Sequence, residues 1–140
     1  MPGTTPKNFS GKWKQYKTEN LEVLLKKMGV GLLHRGVVAK VTPSLEITQN
    51  GDRFTIRTIT TFRTVELKFT VGEEFEDTVM NGDTRMAVAY WDGDKLIVKA
   101  VADDADQSQI TERELVGADE FVVILIYQGV VAKRYFTRET

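Results

Sequence analysis

The fold is decided by residues 119–138, which read DEFVVILIYQGVVAKRYFTR. Two segments rich in Val, Ile and aromatic residues flank the turn Gln128-Gly129, a pattern typical of a β-hairpin. Side chains alternate along a strand, so the second segment places on one face Val130, Ala132, Arg134 and Phe136. Arg134 is the charged residue on that otherwise apolar face. The hairpin therefore predicts a buried strand face that carries a cation.

A second arginine, Arg113, has a similar setting. Alternation puts it on one face with Gln109, Thr111 and Leu115, while Glu112 and Glu114 point the opposite way. Arginine is rarely buried without a partner, because removing an unpaired charge from water is costly. Neither arginine shares its face with a carboxylate, so the missing partner is interpreted as a ligand with an apolar body and an acidic head. The alternative is a structural ion pair with Glu or Asp across the fold.

Length and composition bound the class of protein. The chain has 140 residues, 41% of them hydrophobic, and no apolar run near the ~18 residues of a membrane span. We expect a flexible tail over residues 1–7 and one domain over residues 8–140. The absence of cysteine excludes disulfides and thiolate sites, and the single histidine, His34, excludes a histidine metal cluster. A net charge of −1 argues against nucleic-acid binding. We expect no metal and no cofactor.

Turn residues divide the chain into short elements. A strand is predicted over Trp13 to Thr18, then helices near 20–28 and 31–40, the first capped by Thr18 or Asn20. Nine more strands are predicted near 44–50, 53–60, 63–70, 74–79, 84–91, 95–101, 107–116, 119–127 and 130–138. An antiparallel meander of ten strands removes its exposed edges by closing into a barrel, although the pattern alone also fits a β-sandwich.

Three segments resemble the intracellular lipid-binding proteins, the family of fatty-acid-binding and cellular retinoid-binding proteins. They are residues 8–14 (NFSGKWK) with Glu19-Asn20-Leu21, residues 60–77, and the pair Arg113-Glu114-Leu115 and Arg134-Tyr135-Phe136. The second segment is most similar to the retinoic-acid-binding branch. The resemblance implies an all-β fold, a ten-stranded antiparallel up-and-down barrel with a two-helix lid after the first strand. It also implies a cytoplasmic monomer.

The resemblance also implies the head-group site. In the family, residues matching Arg113 and Arg134 bind the ligand carboxylate together with a tyrosine two residues after the second arginine. This chain has Phe136 there, which is similar to the retinol-binding branch. That branch, however, has glutamine where this chain has Arg134. The site is therefore a hybrid of an acid binder and an alcohol binder.

The remaining candidate ligand contacts lie on the third strand, in the turn after it and in the lid. By resemblance Thr58, Thr60 and Phe62 line the pocket and Arg63 lies at its portal, and Leu32 is a further candidate in the second helix. Ordinary strand alternation with a solvated arginine is the alternative. Phe9 and Trp13 are expected to fill the closed end of the barrel.

The predicted function is a non-covalent carrier of one small hydrophobic ligand. Retinoic acid or a long-chain fatty acid is the first choice of ligand, and retinol or retinal the second. A lipid-processing enzyme is the alternative from another class, but no motif gives His34 a catalytic partner, so no catalytic residue is predicted. A structural or protein-interaction barrel is the third hypothesis.

Basic residues cluster in the helical segment at Lys26, Lys27, Arg35 and Lys40. They predict transient docking on anionic membranes, with an ordinary solvated helix face as the alternative. In some family members basic residues in these helices also serve nuclear import, so nuclear entry is a further expectation.

Overall fold

The alternating pattern becomes ten β-strands and two helices in a computed structural model, which describes residues 7–101 and 108–139. The elements in chain order are β1 (Gly11–Glu19), α1 (Leu21–Lys27), α2 (Leu32–Lys40), β2 (Ser44–Asn50), β3 (Arg53–Ile59), β4 (Thr64–Thr70), β5 (Phe75–Thr78), β6 (Thr84–Asp92), β7 (Lys95–Ala100), β8 (Ile110–Leu115), β9 (Glu120–Tyr127) and β10 (Val130–Arg138). The predicted tail over residues 1–7 lies outside the described residues apart from Lys7. The carbonyl of Lys7 accepts a hydrogen bond of 3.0 Å from Gln49.

All ten strands form one antiparallel sheet in the order β4-β3-β2-β1-β10-β9-β8-β7-β6-β5. The pairing of β1 with β10 joins the first and last strands and curls the sheet into a nearly closed barrel. The prediction of an up-and-down barrel with two helices is thereby confirmed, and the sandwich alternative is wrong. Hydrogen-bonded closure is incomplete, because β4 and β5, the two edge strands of the sheet, do not pair with each other. The rings of Phe69 and Phe75 stack across that gap with centroids 4.8 Å apart.

Helix α1 packs its apolar stripe against β10 and β9, as its spacing predicts. Leu21, Leu24 and Leu25 are buried. The expected capping is wrong, because Asn20 adopts a left-handed φ of 58° and makes no side-chain cap bond. Its amide instead donates a hydrogen bond of 2.9 Å to the carbonyl of Val131 in β10. The side chain is therefore used to attach the helix to the barrel.

Helix α2, unlike α1, buries none of its residues against the barrel. Leu32 and Leu33 are 74% and 85% exposed. Neither helix in the described part of the chain has the length and hydrophobicity that crossing a membrane requires.

One end of the barrel is filled by aromatic side chains. Phe9 and Trp13 are fully buried, and the Trp13 indole donates a hydrogen bond of 2.9 Å to the Phe9 carbonyl. The ring of Phe121 lies 5.0 Å from that of Trp13. Gly11 adopts φ 137°, and a Cβ there would collide with the guanidinium of Arg138. This end of the barrel is therefore closed, and any interior space lies toward the helices.

Candidate functional site

A cavity of about 450 Å³ lies inside the barrel. Its apolar wall includes Leu45, Ile56, Val98, Val123, Leu125 and Phe136. Its polar groups include Asp77, Gln109, Thr111, Arg113 and Arg134. The side chain of Gln109 donates a hydrogen bond of 3.0 Å from Nε2 to the Thr111 hydroxyl, and its Oε1 accepts one from the backbone N–H of Met80. Glu66 and Glu76 also lie on its wall, so the cavity combines an apolar wall with a polar and charged one.

A second cavity of about 350 Å³ lies between α2 and the turn that joins β3 to β4. It is lined by Val37, Val38 and Val41 on one side and by Thr60, Phe62 and Arg63 on the other. The two cavities share wall residues, which are Pro43, Thr58, Val65, Met80 and Arg134. They are therefore contiguous, and together they connect the helical side of the barrel with the interior arginines.

The register of the last three strands places the two arginines side by side. Arg113 of β8 and Arg134 of β10 are each paired with Val123 of β9, so both stand on the inner face at the same level. Strands separated by one intervening strand lie about 10 Å apart, which sets the backbone spacing of the pair. Two long guanidinium side chains at this spacing can both reach one anionic head group, directly or through water.

Arg134 is held by a neutral group. Its Nε donates a hydrogen bond of 2.7 Å to Oε1 of Gln15 in β1, and a second nitrogen lies 4.0 Å from the Met80 sulfur. Within residues 7–101 and 108–139, no carboxylate forms an ion pair with it. Burial, and to a smaller extent the nearby charge of Arg113, lower the pKa of Arg134 to about 10. Arg134 therefore carries its charge at neutral pH at an energetic cost.

Arg113 is less well satisfied. Its Nε is buried and has no hydrogen-bond partner among the described residues. Burial lowers its pKa, an effect that the charge of Asp77 opposes. The carboxylate of Asp77 is itself paired with Arg85 at 3.1 Å, and Arg85 also donates to the Ser108 hydroxyl at 2.6 Å. The ion pair in this region thus belongs to Arg85, and the structural ion-pair alternative for the two cavity arginines finds no support in the described residues.

Seven of the eight candidate residues line a cavity. Arg113, Arg134, Phe136 and Thr58 lie on the wall of the larger one, and Thr58, Thr60, Phe62 and Arg63 on that of the smaller one. Leu32 is on neither wall, because α2 turns it toward solvent. The hydroxyl of Thr60 is engaged in its own turn, donating to the Arg63 carbonyl at 3.1 Å and accepting from the Phe62 and Arg63 amides. Ligand contact by these residues stays a prediction.

Gln15 and Asp77 are two site residues that sequence reasoning missed. A signal for Gln15 existed, since it alternates with the buried Trp13 on the inner face of β1 and is a polar residue there. Asp77 gave no such signal because β5 is only four residues long. No cluster of three or more metal-ligating side chains occurs in the described part of the chain, and His34 is exposed on α2.

A nearly closed β-barrel whose internal cavity has an apolar wall and partly buried cations defines a protein that encloses a small hydrophobic molecule. Residues 10–125 match the model of the lipocalin / cytosolic fatty-acid binding protein family, and the chain belongs to that family. The family resemblance noted in the sequence is thereby confirmed.

Named relatives cover nearly the whole chain. It is 38% identical over 137 residues to cellular retinoic acid-binding protein 2 of Homo sapiens, covering 94% of this chain and 99% of that protein. It is 36% identical over 131 residues to the intestinal fatty acid-binding protein of Bos taurus, covering 94% and 98%. The fatty acid binding protein of Schistosoma mansoni, solved in complex with arachidonic acid, superposes with a TM-score of 0.84 at 28% identity, covering 98% of this chain and all of that one.

Proposed function

We propose that this protein is a non-covalent carrier of one hydrophobic ligand with an acidic head group, either retinoic acid or a long-chain fatty acid. The observation that carries the proposal is a pair of partly buried arginines that form no ion pair with a carboxylate among the described residues, on the wall of a cavity with a large apolar surface. Relatives named for binding retinoic acid and fatty acids support it.

The two parts of the site have separate energetic roles. Removal of the ligand tail from water contributes roughly 25 cal/mol per Å² of apolar surface, which supplies most of the affinity. Charge-assisted hydrogen bonds from Arg113 and Arg134 contribute about 1.5–3 kcal/mol each and select an acid. The apolar wall sets how tightly a lipid binds, and the arginines set which head group is preferred.

Retinol or retinal is the second candidate ligand, and Phe136 favours it. This ring lines the cavity near Arg134 and brings no hydroxyl to the head group. An alcohol cannot neutralise a guanidinium, however, so binding retinol would leave the cost of the buried charge uncompensated. The preference for an acid follows from that difference.

The proposal is tested by titrating delipidated protein with oleic acid, retinoic acid, retinol and methyl oleate. We expect one site per chain, with oleic acid bound at least about tenfold more tightly than its ester, since one charged hydrogen bond is worth that factor. Mass spectrometry of lipid extracted from the purified protein identifies the acid carried in the cell. Equal affinity for oleic acid and methyl oleate would contradict the acidic-head proposal, and absence of binding would favour a structural barrel.

We also propose that the protein is not an enzyme. His34 is exposed on α2 and is not among the residues that line the two cavities. The named relatives are binding proteins. Bound ligand should be recovered chemically unchanged after prolonged incubation. Conversion of retinoic acid, retinol or oleic acid by pure protein would favour the enzyme alternative.

Transient contact with anionic membranes is proposed for the helical region. Leu32, Leu33 and Phe62 are large apolar side chains exposed beside the smaller cavity. Lys26 and Lys27 end α1, and both are exposed. Apolar residues flanked by lysines are typical of surfaces that lie at a lipid interface.

The oligomeric state and location complete the proposal. We propose a monomer that works in the cytoplasm and enters the nucleus, in line with relatives named as cellular proteins. With a net charge of −1, no nucleic-acid partner is proposed. Sedimentation of the loaded protein tests the first statement, and imaging of the tagged protein tests the second.

A further inference from the structure

We propose that Gln15 is a positioning residue that sets the head-group specificity of the cavity by holding Arg134 without neutralising it. The inference rests on the proposed function and deepens it. It assigns a role in ligand choice to a residue of the first strand, 119 positions away from the arginine that it contacts.

The backbone of β1 directs Gln15 toward Arg134. Gln15 is paired with Phe136 of β10, and the register shifts between Gln15 and Lys17 because one extra residue is inserted there. Such a bulge redirects side chains locally. The backbone N–H of Gln15 donates a hydrogen bond of 3.1 Å to the Pro43 carbonyl, which fixes this point of the strand. With 8% of its surface exposed, Gln15 is buried beside the cavity and absent from the residues that line it.

The chemistry of the contact identifies the atom involved. Arginine has only donors, so the Gln15 atom that faces Nε of Arg134 is the amide oxygen. A neutral oxygen satisfies one donor and fixes the guanidinium plane, but it leaves the positive charge intact. The terminal nitrogens stay available to the cavity, where one lies 4.0 Å from the Met80 sulfur and forms no ion pair with the described residues.

A glutamate in the same place would act differently. It would form a charge-assisted bond to Arg134 and cancel its charge inside the protein, so the free carrier would already be neutralised. With glutamine the desolvation cost of the cation persists in the free protein, and an acidic ligand offsets it on binding. An amide at residue 15, in place of a carboxylate, therefore leaves the charge of Arg134 available to bind an acidic ligand.

The test compares the affinity ratio of oleic acid to methyl oleate in variants that fold, as judged by circular dichroism. Gln15→Glu should reduce the ratio at least about tenfold, because an internal carboxylate replaces that of the ligand. Gln15→Leu keeps the charge but loses the acceptor, so the ratio should fall by a smaller factor. Gln128→Glu, the same change in an exposed turn, should leave the ratio at the wild-type value.

The outcomes separate this inference from the proposed function. An acid preference in wild type that persists in Gln15→Glu would overturn the role of Gln15 and leave the carrier proposal intact, whereas absence of that preference in wild type would overturn both. Gln15→Glu added to Arg134→Gln should change the ratio little, because the cation is gone. A merely structural Gln15 predicts losses of thermal stability in Gln15→Glu and Gln15→Leu with both ligands weakened equally.

Discussion

At the scale of single residues, the positive charge of Arg134 carries a desolvation cost when no ligand is bound. The guanidinium of Arg134 has only a neutral amide and a distant sulfur as partners among the described residues. Burial, and to a smaller extent the nearby charge of Arg113, lower its pKa to about 10, well below the ordinary value of an arginine. A folded-state pKa below the unfolded value means that the fold disfavours the protonated form. The resulting penalty on stability is present below about pH 10 and is relieved as pH rises through that value.

The same shift predicts how acid binding depends on pH. A bound carboxylate raises the pKa of Arg134, so above about pH 10 the complex must take up a proton that the free protein has lost. We expect the affinity for oleic acid to be flat from about pH 7 to 9 and then to fall up to about tenfold per pH unit. Calorimetric titration over this range measures it. Methyl oleate, and oleic acid with Arg134→Gln, are the controls, and a similar alkaline fall in both would exclude Arg134 as its origin.

Phe136 permits a second prediction at residue scale. The ring is 2% exposed and stacks on Phe121 with centroids 5.0 Å apart. In Phe136→Tyr the added hydroxyl is a donor for an acidic head group held by Arg134, so retinoic acid should bind up to about 1.5–3 kcal/mol more tightly. Retinol should gain much less, because its hydroxyl is neutral. Fluorescence titration of both ligands measures the difference, and an equal gain for retinol would show that the new donor does not distinguish an acid from an alcohol.

At the scale of elements, α2 is weakly integrated into the fold, since none of its residues is buried. Its leucines are exposed, and its valines line the smaller cavity together with the turn that contains Phe62. An element with so little buried apolar surface opens at low free-energy cost. Opening of α2 and this turn is the expected route of ligand entry.

The adjoining basic residues predict how ligand leaves. Transfer of a fluorescent fatty acid to vesicles should accelerate with anionic lipid and slow with salt, since charges are screened beyond about 8 Å at physiological ionic strength. Lys26→Glu with Lys27→Glu should abolish this lipid dependence and leave the equilibrium affinity unchanged. The matched control is Lys12→Glu with Lys14→Glu on β1, where both lysines are exposed. If both double variants slow transfer equally, only net charge matters and α1 is not the docking element.

Two glycines predict opposite responses to the same substitution. Gly11→Ala strains a backbone at φ 137° and collides with Arg138, so it should destabilise the protein by about 1–3 kcal/mol. At Gly36, within α2, an added Cβ meets nothing within 4 Å, and alanine should stabilise the helix by up to about 1 kcal/mol. Denaturant unfolding gives both free energies. A stabilising Gly11→Ala would contradict the close approach of β1 to Arg138.

At the scale of the whole molecule, local patterning predicts the elements and their faces well. Period-two alternation places Arg113 and Arg134 on inner faces, and the structure lines a cavity with both. The hairpin predicted over residues 119–138 is β9 and β10. The exact start of a strand is predicted less well. The strand predicted from residue 107, which lies outside the described residues, is β8 and begins at Ile110.

What the sequence could not predict depends on contacts between distant strands. The bond from Arg134 to Gln15 requires the pairing of β1 with β10 and its one-residue bulge, neither of which is encoded in a local pattern. The unpaired edges of β4 and β5 likewise follow from how the whole sheet curls. Asn20 is a residue type that commonly caps helices, but because it lies beside β10 its side-chain amide bonds to the Val131 carbonyl instead.

The central claim is that the two cavity arginines recognise an acid. Its most direct test is isothermal titration of Arg113→Ala and Arg134→Ala with oleic acid and methyl oleate, using Arg57→Ala as the control because Arg57 is exposed and contacts Glu46. We predict that each cavity variant loses about 1.5–3 kcal/mol of acid binding while ester binding and the control stay at wild-type values. Equal losses of acid and ester binding in both cavity variants would contradict the account.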